Sequence, residues 1–225
     1  MITLFTLKII AIITMFLDHY YRIIGGPEWL SILGRLAFPI FAFSISEGYS
    51  HTKNVNKYLM RLLNFAIIIQ LPNFLGFQEY PLNIFFTLAL GLFCLEILDN
   101  NKINIVVRYI VVLYLCFLAE KTGLDYGAYG VILIILFNKL KNNKLYIFIA
   151  FLALNLVILK IGNLSEMQMY SVFSLVPIFL YNGKKGYGMK YLFYLFYPLH
   201  FIFLYTLNEL LGRMRWQKKI EQNKL

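Results

Sequence analysis

About nine apolar runs follow one another along this chain, each near the length of a bilayer-spanning helix. They lie at roughly 3–24, 31–50, 57–76, 83–99, 103–120, 126–140, 144–161, 168–182 and 190–212, and a membrane-spanning helix needs about 20 mostly apolar residues. The loops between them are short and leave no room for a soluble domain. Strand-like alternation is absent, and the runs are too long for barrel strands. Inside a bilayer every backbone N–H and C=O must be paired, which helices achieve within one segment. Composition agrees: of 225 residues, 60% are apolar and 14% charged, with a mean hydropathy of +0.68. A soluble domain is nearer half apolar and a quarter charged. The expected fold is therefore an all-α, polytopic transmembrane helical bundle of about nine spans. Residues 1–225 form a single membrane domain, with a basic tail at 213–225. The first run lacks a basic start and a small-residue cleavage site, so it reads as a retained span rather than a signal peptide. Neither a fixed-period repeat nor an inverted repeat of the transporter kind is visible.

The formal charge of +10, from 21 Lys and Arg against 11 Asp and Glu, is unevenly placed. "HTKNVNKYLMR", "DNNKINIVVR", "NKLKNNK" and "NGKKGYGMK" are basic. The alternate loops "GFQEYPLN", "EKTGLDYG" and "KIGNLSEMQ" are acidic or nearly neutral. Positive loops stay on the cytoplasmic side, which places the N-terminus inside and the chain in the cytoplasmic membrane. The same loops favour the anionic headgroups of membrane lipids. Nine spans would put the basic tail outside, the one feature that disagrees. No nucleic-acid motif accompanies the positive charge, and no nucleic-acid partner is expected.

Ionisable groups at membrane depth are costly and mark function by default. In "KIIAIITMFLDHYYR", Lys8 and His19 are eleven residues apart. That is about three helical turns, so they share one face, separated by roughly 16 Å along the axis. A cation near the cytoplasmic mouth and an imidazole deep inside suit a long anionic ligand whose reactive end travels inward, and coenzyme A has that shape. Asp18 points about 100° away from its neighbour His19, so it is expected to pair with a cation on another span, Arg35 first. Glu47 and His51, four apart, stack on one helix face. Arg61 and Tyr58 follow just beyond the cytoplasmic loop, where cations meet phosphates. In the last span His200 lies near the middle beside Tyr197 and Pro198, and proline at that depth kinks a helix. Asn83, Thr87 and Asp125 sit at span starts, and "GLDYGAYG" carries small residues that let helices approach closely.

Other chemistries find no support. Cys94 and Cys116 fall inside apolar runs without Cys-x-x-Cys or zinc spacing and read as buried thiols. The three histidines form no ligand pair of known spacing, so no metal is expected. Gly-x-Ser-x-Gly is absent, and no stretch reads as a phosphate-cradling Gly-rich loop.

Taken together, "LKIIAIITMFLDH" (7–19), "LGRLAFPIFAFSISEGYSHTKNVNKYLMRLL" (33–63), "LNIFFTLALGL" (82–92), "LDYGAYGV" (124–131) and "KYLFYLFYPLHFIFLY" (190–205) resemble the TraX family of membrane proteins. That family is named for a conjugation-linked pilin acetylase. The resemblance implies acetyl transfer from acetyl-CoA to a pilin N-terminus. The first segment is also similar to the membrane acyltransferase-3 superfamily, in which a basic residue, ten positions and a histidine mark the first span. Lys8 and His19 fit that spacing, with Lys8 standing where arginine is usual. Lysine meets a phosphate as a point charge rather than as a bidentate fork.

The expected activity is acyl transfer from acetyl-CoA to an amine or hydroxyl of a peptide N-terminus, a glycan or a lipid. His19 acts as general base, or is itself acetylated. His200 or Arg35 steadies the oxyanion, with Asp18 part of the same catalytic group. Lys8, Arg61, His51 and Tyr58 receive the donor. Two other readings place the same charges in the membrane: a proton-coupled permease and a non-catalytic scaffold for assembly or secretion.

Overall fold

In the computed structural model, residues 1–74, 82–161, 165–188 and 190–222 are described. Among them the chain is all-helical, with no strand beyond two isolated bridges, Ile2 with Tyr181 and Leu82 with Leu124. Helix α1 covers Leu4–Ile23 and starts where the Thr3 hydroxyl accepts from the Thr6 amide. It ends at Gly25 and Gly26, both with positive φ, which only glycine adopts without strain. The chain then turns into α2 (Trp29–Gly34) and α3 (Ala37–His51). Helices α4 (Val55–Phe74), α5 (Ile84–Asp99), α6 (Ile105–Lys121), α7 (Gly127–Lys139) and α8 (Lys144–Ile161) follow. Asn83 and Asn104 cap α5 and α6 through their side-chain oxygens. A 3-10 helix, Glu166–Ser174, leads into the short α9 (Leu175–Phe179), and α10 (Lys190–Gln222) carries Pro198 in its interior.

The expected runs match these helices closely, with three differences. The run at 31–50 is jointed at Arg35 and Leu36, whose backbone stays helical, so that α2 and α3 follow one another almost in line. The run at 168–182 begins inside a 3-10 helix, whose rise of about 2.0 Å per residue stretches a short segment further than an α-helix would, and continues into the short α9. The last helix continues past 212 to Gln222, so most of the 213–225 tail extends α10, and residues 223–225 lie outside the described residues. The acidic loop at 76–83 also lies largely outside them. Among the described residues, two stretches are long and apolar enough to cross a membrane by themselves, Leu4–Ile23 and Trp29–His51. Helices α5 and α7 are shorter, 16 and 13 residues.

The core lies where α1, α3, α5 and α7 meet, with Leu7, Ile40, Leu92, Leu133, Ile134 and Phe137 fully buried. Glycine makes the close approaches possible. Gly91 of α5 faces Ile134 of α7, and a Cβ on Gly130 would lie 2.6 Å from Thr87 and 2.8 Å from Phe38. Outward faces are apolar: Ile110, Leu113 and Phe117 on α6, Ile149 and Val157 on α8, Leu195, Leu199 and Ile202 on α10 are all exposed. Apolar belts of this extent are not a soluble monomer's surface, and they fit a membrane protein.

The loops sort by charge to opposite ends. Lys139 pairs with Asp99, Tyr49 donates to Asp99 (2.9 Å), and Lys141 donates to Ser50 (3.3 Å). These contacts gather the loops after α3, α5 and α7 at one end. At the opposite end Leu82, just ahead of α5, joins the loop after α6: Leu82 N donates to Gly123 O (3.2 Å) and Asp125 N to Leu82 O (2.9 Å).

Candidate active site

A cavity of about 780 Å³ runs along α1 between α3, α4 and α10. One end is basic, lined by Lys8, His51, Lys53, Arg61 and Lys185. The other holds Asp18, His19, Arg22, Arg35, Asp125 and Tyr126. Because α3 runs antiparallel to α1, Gly34 lies beside Asp18 while Gly48 and His51 border the basic end. All eight residues that the sequence nominated are found in or against this one space. His200 does not line it, but touches a residue that does.

That contact joins two histidines 181 positions apart: His19 Nδ1 lies 2.6 Å from His200 Nε2, with the rings inclined by only 14°. His200 is buried, and its Nδ1 lies 2.9 Å from the Phe196 carbonyl oxygen one turn back on α10. The order of donors follows from chemistry. A carbonyl only accepts, so His200 Nδ1 carries the hydrogen. Neutral His200 therefore accepts at Nε2, and His19 must donate from Nδ1. His19 is left with its lone pair on Nε2, the arrangement of a general base. Phe201, with ring centroids 4.5 Å from His19 and 4.3 Å from His200, closes one side of the pair.

Beside His19 in the sequence, Asp18 belongs to a buried ion pair. Asp18 accepts from Arg35 Nη2 and from Ser31 Oγ (2.9 Å), and it forms an ion pair with Arg22, whose Nε lies 2.9 Å from Oδ2. Arg35 Nε also donates to the Ser31 carbonyl (3.3 Å). The expected Asp18–Arg35 partnership is present, and Asp18 is indeed turned away from His19. Arg22, one turn further along α1, is a third member that the sequence reading did not name. The pair requires the glycine at 34, because a Cβ there would collide with Asp18.

Asp125 and Tyr126 form the facing wall. Tyr126 adopts a left-handed φ of 63°, unusual for a residue with a side chain. Its ring stacks on Phe38 at 3.9 Å. Thr87 Oγ1 donates to the Asp125 carbonyl, which fixes this turn against α5. Burial pushes the Asp125 carboxyl up to about 6, against the pull of Arg22 and Arg35. The sequence placed Thr87 and Asp125 at span starts but gave Asp125 no role.

At the basic end, Arg61 lies over the Tyr58 ring at 5.4 Å. Tyr58 in turn fits only because residue 48 is glycine: a Cβ there would lie 2.8 Å from the ring. Arg61 Nε is buried without a hydrogen-bond partner among the described residues. His51 is exposed, 3.7 Å from Glu47 and hydrogen-bonded to the Glu47 carbonyl, the expected i,i+4 arrangement. Cys94 and Cys116 are buried free thiols away from the cavity.

Fold and site together define an all-helical protein of membrane character with a polar, histidine-bearing cavity in its interior. The TraX family model, described as "TraX protein", matches residues 3–208, and the chain belongs to that family. It is 34% identical to the relative named "Probable fimbrial assembly protein FimC, serogroup H1" from Dichelobacter nodosus, over 89% of this chain and 93% of the relative. No solved structure matches the chain.

Proposed function

We propose that this protein is a membrane-embedded acyltransferase that moves an acetyl group from acetyl-CoA to an amine or hydroxyl. The observation that carries the reading is the His19–His200 pair at one end of a cavity whose other end is basic, about three helical turns away along α1. The chain forms a bundle of about nine spans in the cytoplasmic membrane, its basic loops and N-terminus inside and its outer faces against membrane lipids. Relation to the membrane acyltransferase-3 superfamily, through Lys8 and His19, belongs to the same reading. The donor enters from the basic end with its phosphates near Lys8, Arg61 and His51 and its adenine side near Tyr58. Its thioester reaches His19.

Each group then has a role. His19 Nε2 takes the proton of the acceptor as that atom attacks the thioester carbonyl. Collapse of the tetrahedral intermediate breaks the C–S bond and expels the CoA thiolate, which takes the proton from His19 Nε2 and returns the imidazole to its neutral form. His200 fixes the His19 tautomer. Arg35 spends Nε and Nη2 on Ser31 and Asp18, which leaves Nη1 for the developing oxyanion. Asp18 holds that guanidinium in place. Of the acceptors, a peptide N-terminus draws support from the relative's name, which concerns fimbrial assembly.

The test is calorimetric titration of acetyl-CoA into purified protein in detergent, followed by CoA release. His19→Ala is expected to bind the donor and to lose activity by about 10²–10⁴-fold. Unchanged turnover removes His19 from the mechanism. Absence of donor binding by folded wild type, with flux of a substrate into proteoliposomes, supports the permease instead.

A further inference from the structure

The segment 182–188, "NGKKGYG", reads in the sequence as one positive loop among several. The structure gives it a more exact place. Gly183 and Gly186 both have left-handed φ, +74° and +70°, and bracket Lys184 and Lys185. Residue 186 has a second reason to be glycine: a Cβ there would lie 2.5 Å from Thr3 Oγ1. The loop is pinned to the start of α1 by main-chain bonds. Ile2 N donates to Leu180 O (3.0 Å), Asn182 N to Ile2 O (3.0 Å), Leu4 N to Lys184 O (2.9 Å) and Phe5 N to Lys185 O (3.1 Å). Asn182 Oδ1 accepts from Lys184 N (2.9 Å), and Tyr187 meets Phe5 edge to face at 5.6 Å. The first amides of a helix ordinarily lack partners within it. Here the loop carbonyls take two of them, so its backbone is fixed relative to α1 and therefore to Lys8.

This fixing has an electrostatic consequence. Gly183 and Lys185 line the cavity and Lys184 does not. Lys185 lies close enough to Lys8 for the two positive charges to repel. Arg61 lines the same end with its buried, unpartnered Nε, while its guanidinium also meets the Tyr194 hydroxyl. The carboxylate at this end, Glu47, is engaged by His51 and the Tyr181 hydroxyl. The positive charges of Lys8, Arg61 and Lys185, carried to this end by three separate segments and facing the Glu47 carboxylate, favour a multivalent anion among them.

We propose that Lys185, presented by the glycine-bracketed loop, forms with Arg61 and Lys8 a site for phosphoryl oxyanions carrying two or more negative charges. The inference deepens the acyltransfer reading: within it, the ligand is the diphosphate portion of the donor. The same chemistry is offered by an anionic lipid headgroup, so the experiment separates the two.

Full-length protein in uncharged detergent is titrated with CoA, with pantetheine, which has no phosphate, and with inorganic pyrophosphate. It is compared with Lys185→Gln, Lys185→Arg and the neighbouring Lys184→Gln, each first shown to melt like the wild type. The expected result is that Lys185→Gln weakens CoA and pyrophosphate about tenfold or more and reduces the salt dependence of binding. Lys185→Arg restores most of it, Lys184→Gln stays within about twofold, and pantetheine responds to none. If CoA binds wild type and Lys185→Gln equally, the loop site is overturned and the donor reading survives. If CoA fails to bind while pyrophosphate binds in a Lys185-dependent way, the site stands and the donor reading fails. Nanodiscs with and without phosphatidylglycerol then show whether lipid displaces pyrophosphate. If neither CoA nor pyrophosphate binds, the site is overturned together with the donor.

Discussion

Within the acyltransfer proposal, replacing His200 separates a histidine that performs chemistry from one that positions it. In His200→Phe the ring plane is kept among Phe196, Tyr197 and Phe201, while the acceptor for His19 Nδ1–H is lost. A buried donor left without its partner costs about 1–3 kcal/mol. His19 relieves that cost by turning or by moving its hydrogen to Nε2, and either change removes the base from the acceptor. At RT of about 0.6 kcal/mol, the same 1–3 kcal/mol corresponds to roughly a 5- to 150-fold fall in the productive population and hence in kcat. The donor's KM should stay within about twofold, because the basic end of the cavity lies about three turns away along α1. His200→Gln offers an amide oxygen to His19 Nδ1–H and should recover part of the rate. The assay is CoA release from acetyl-CoA by detergent-purified protein, followed with a thiol reagent, with water or a supplied amine as acceptor. A His200→Phe enzyme with unaltered kcat, or with the loss confined to KM, refutes the tautomer argument, as would a Gln variant no better than Phe.

Two other perturbations act on stability. Arg35→Ala leaves Asp18 buried with Arg22 and Ser31 but without its buried cation, and should destabilise the fold by about 3–5 kcal/mol. Asp18→Asn with Arg35→Met should cost much less, and thermal unfolding of both variants in one detergent decides it. Asp125, in the turn between α6 and α7, gives a pH dependence. Its carboxyl is raised by burial from the ordinary 3.8 to about 6, so the protonated form is favoured in the folded chain. Stability from this group is therefore complete below about pH 4 and lost as pH rises through about 6. The gap is worth up to about 3 kcal/mol. Asp125→Asn should flatten that part of the Tm–pH curve and be the more stable protein at pH 7; a parallel curve for the two proteins contradicts the assignment.

The helices were legible in the sequence because lipid-length apolar runs and their caps are local features. Asn83 before α5 and Asn104 before α6 stop and start the chain within a few residues of where hydropathy does. The 3-10 helix at Glu166–Ser174 was not legible, since its polar and apolar residues average to the same hydropathy as a weak α-helical run. Within the site, the Asp18–Arg35 pair could be inferred because each charge is too costly to bury alone and few partners exist at that depth. The direction of Asp18 away from His19 followed from the 100° step of a helix.

The His19–His200 contact lies beyond that kind of reasoning. Each imidazole is individually conspicuous at its depth, but their meeting depends on how α10 packs against α1, and periodicity within either helix says nothing about the rotation between them. Lys185 was hidden for a different reason. In sequence it is one of several loop lysines, and positive-inside topology explains all of them equally well. What distinguishes it from Lys184 is a backbone fact: two left-handed glycines and four main-chain bonds to residues 2–5 decide which of two adjacent lysines lines the cavity. The proposed positive-inside arrangement would account for the presence of charge on that side. The pinned loop accounts for its direction, and direction is what a binding site requires. Comparing Lys184→Gln with Lys185→Gln therefore measures more than one residue's contribution. The two substitutions remove the same charge from the same loop, so any difference between them is due to geometry alone.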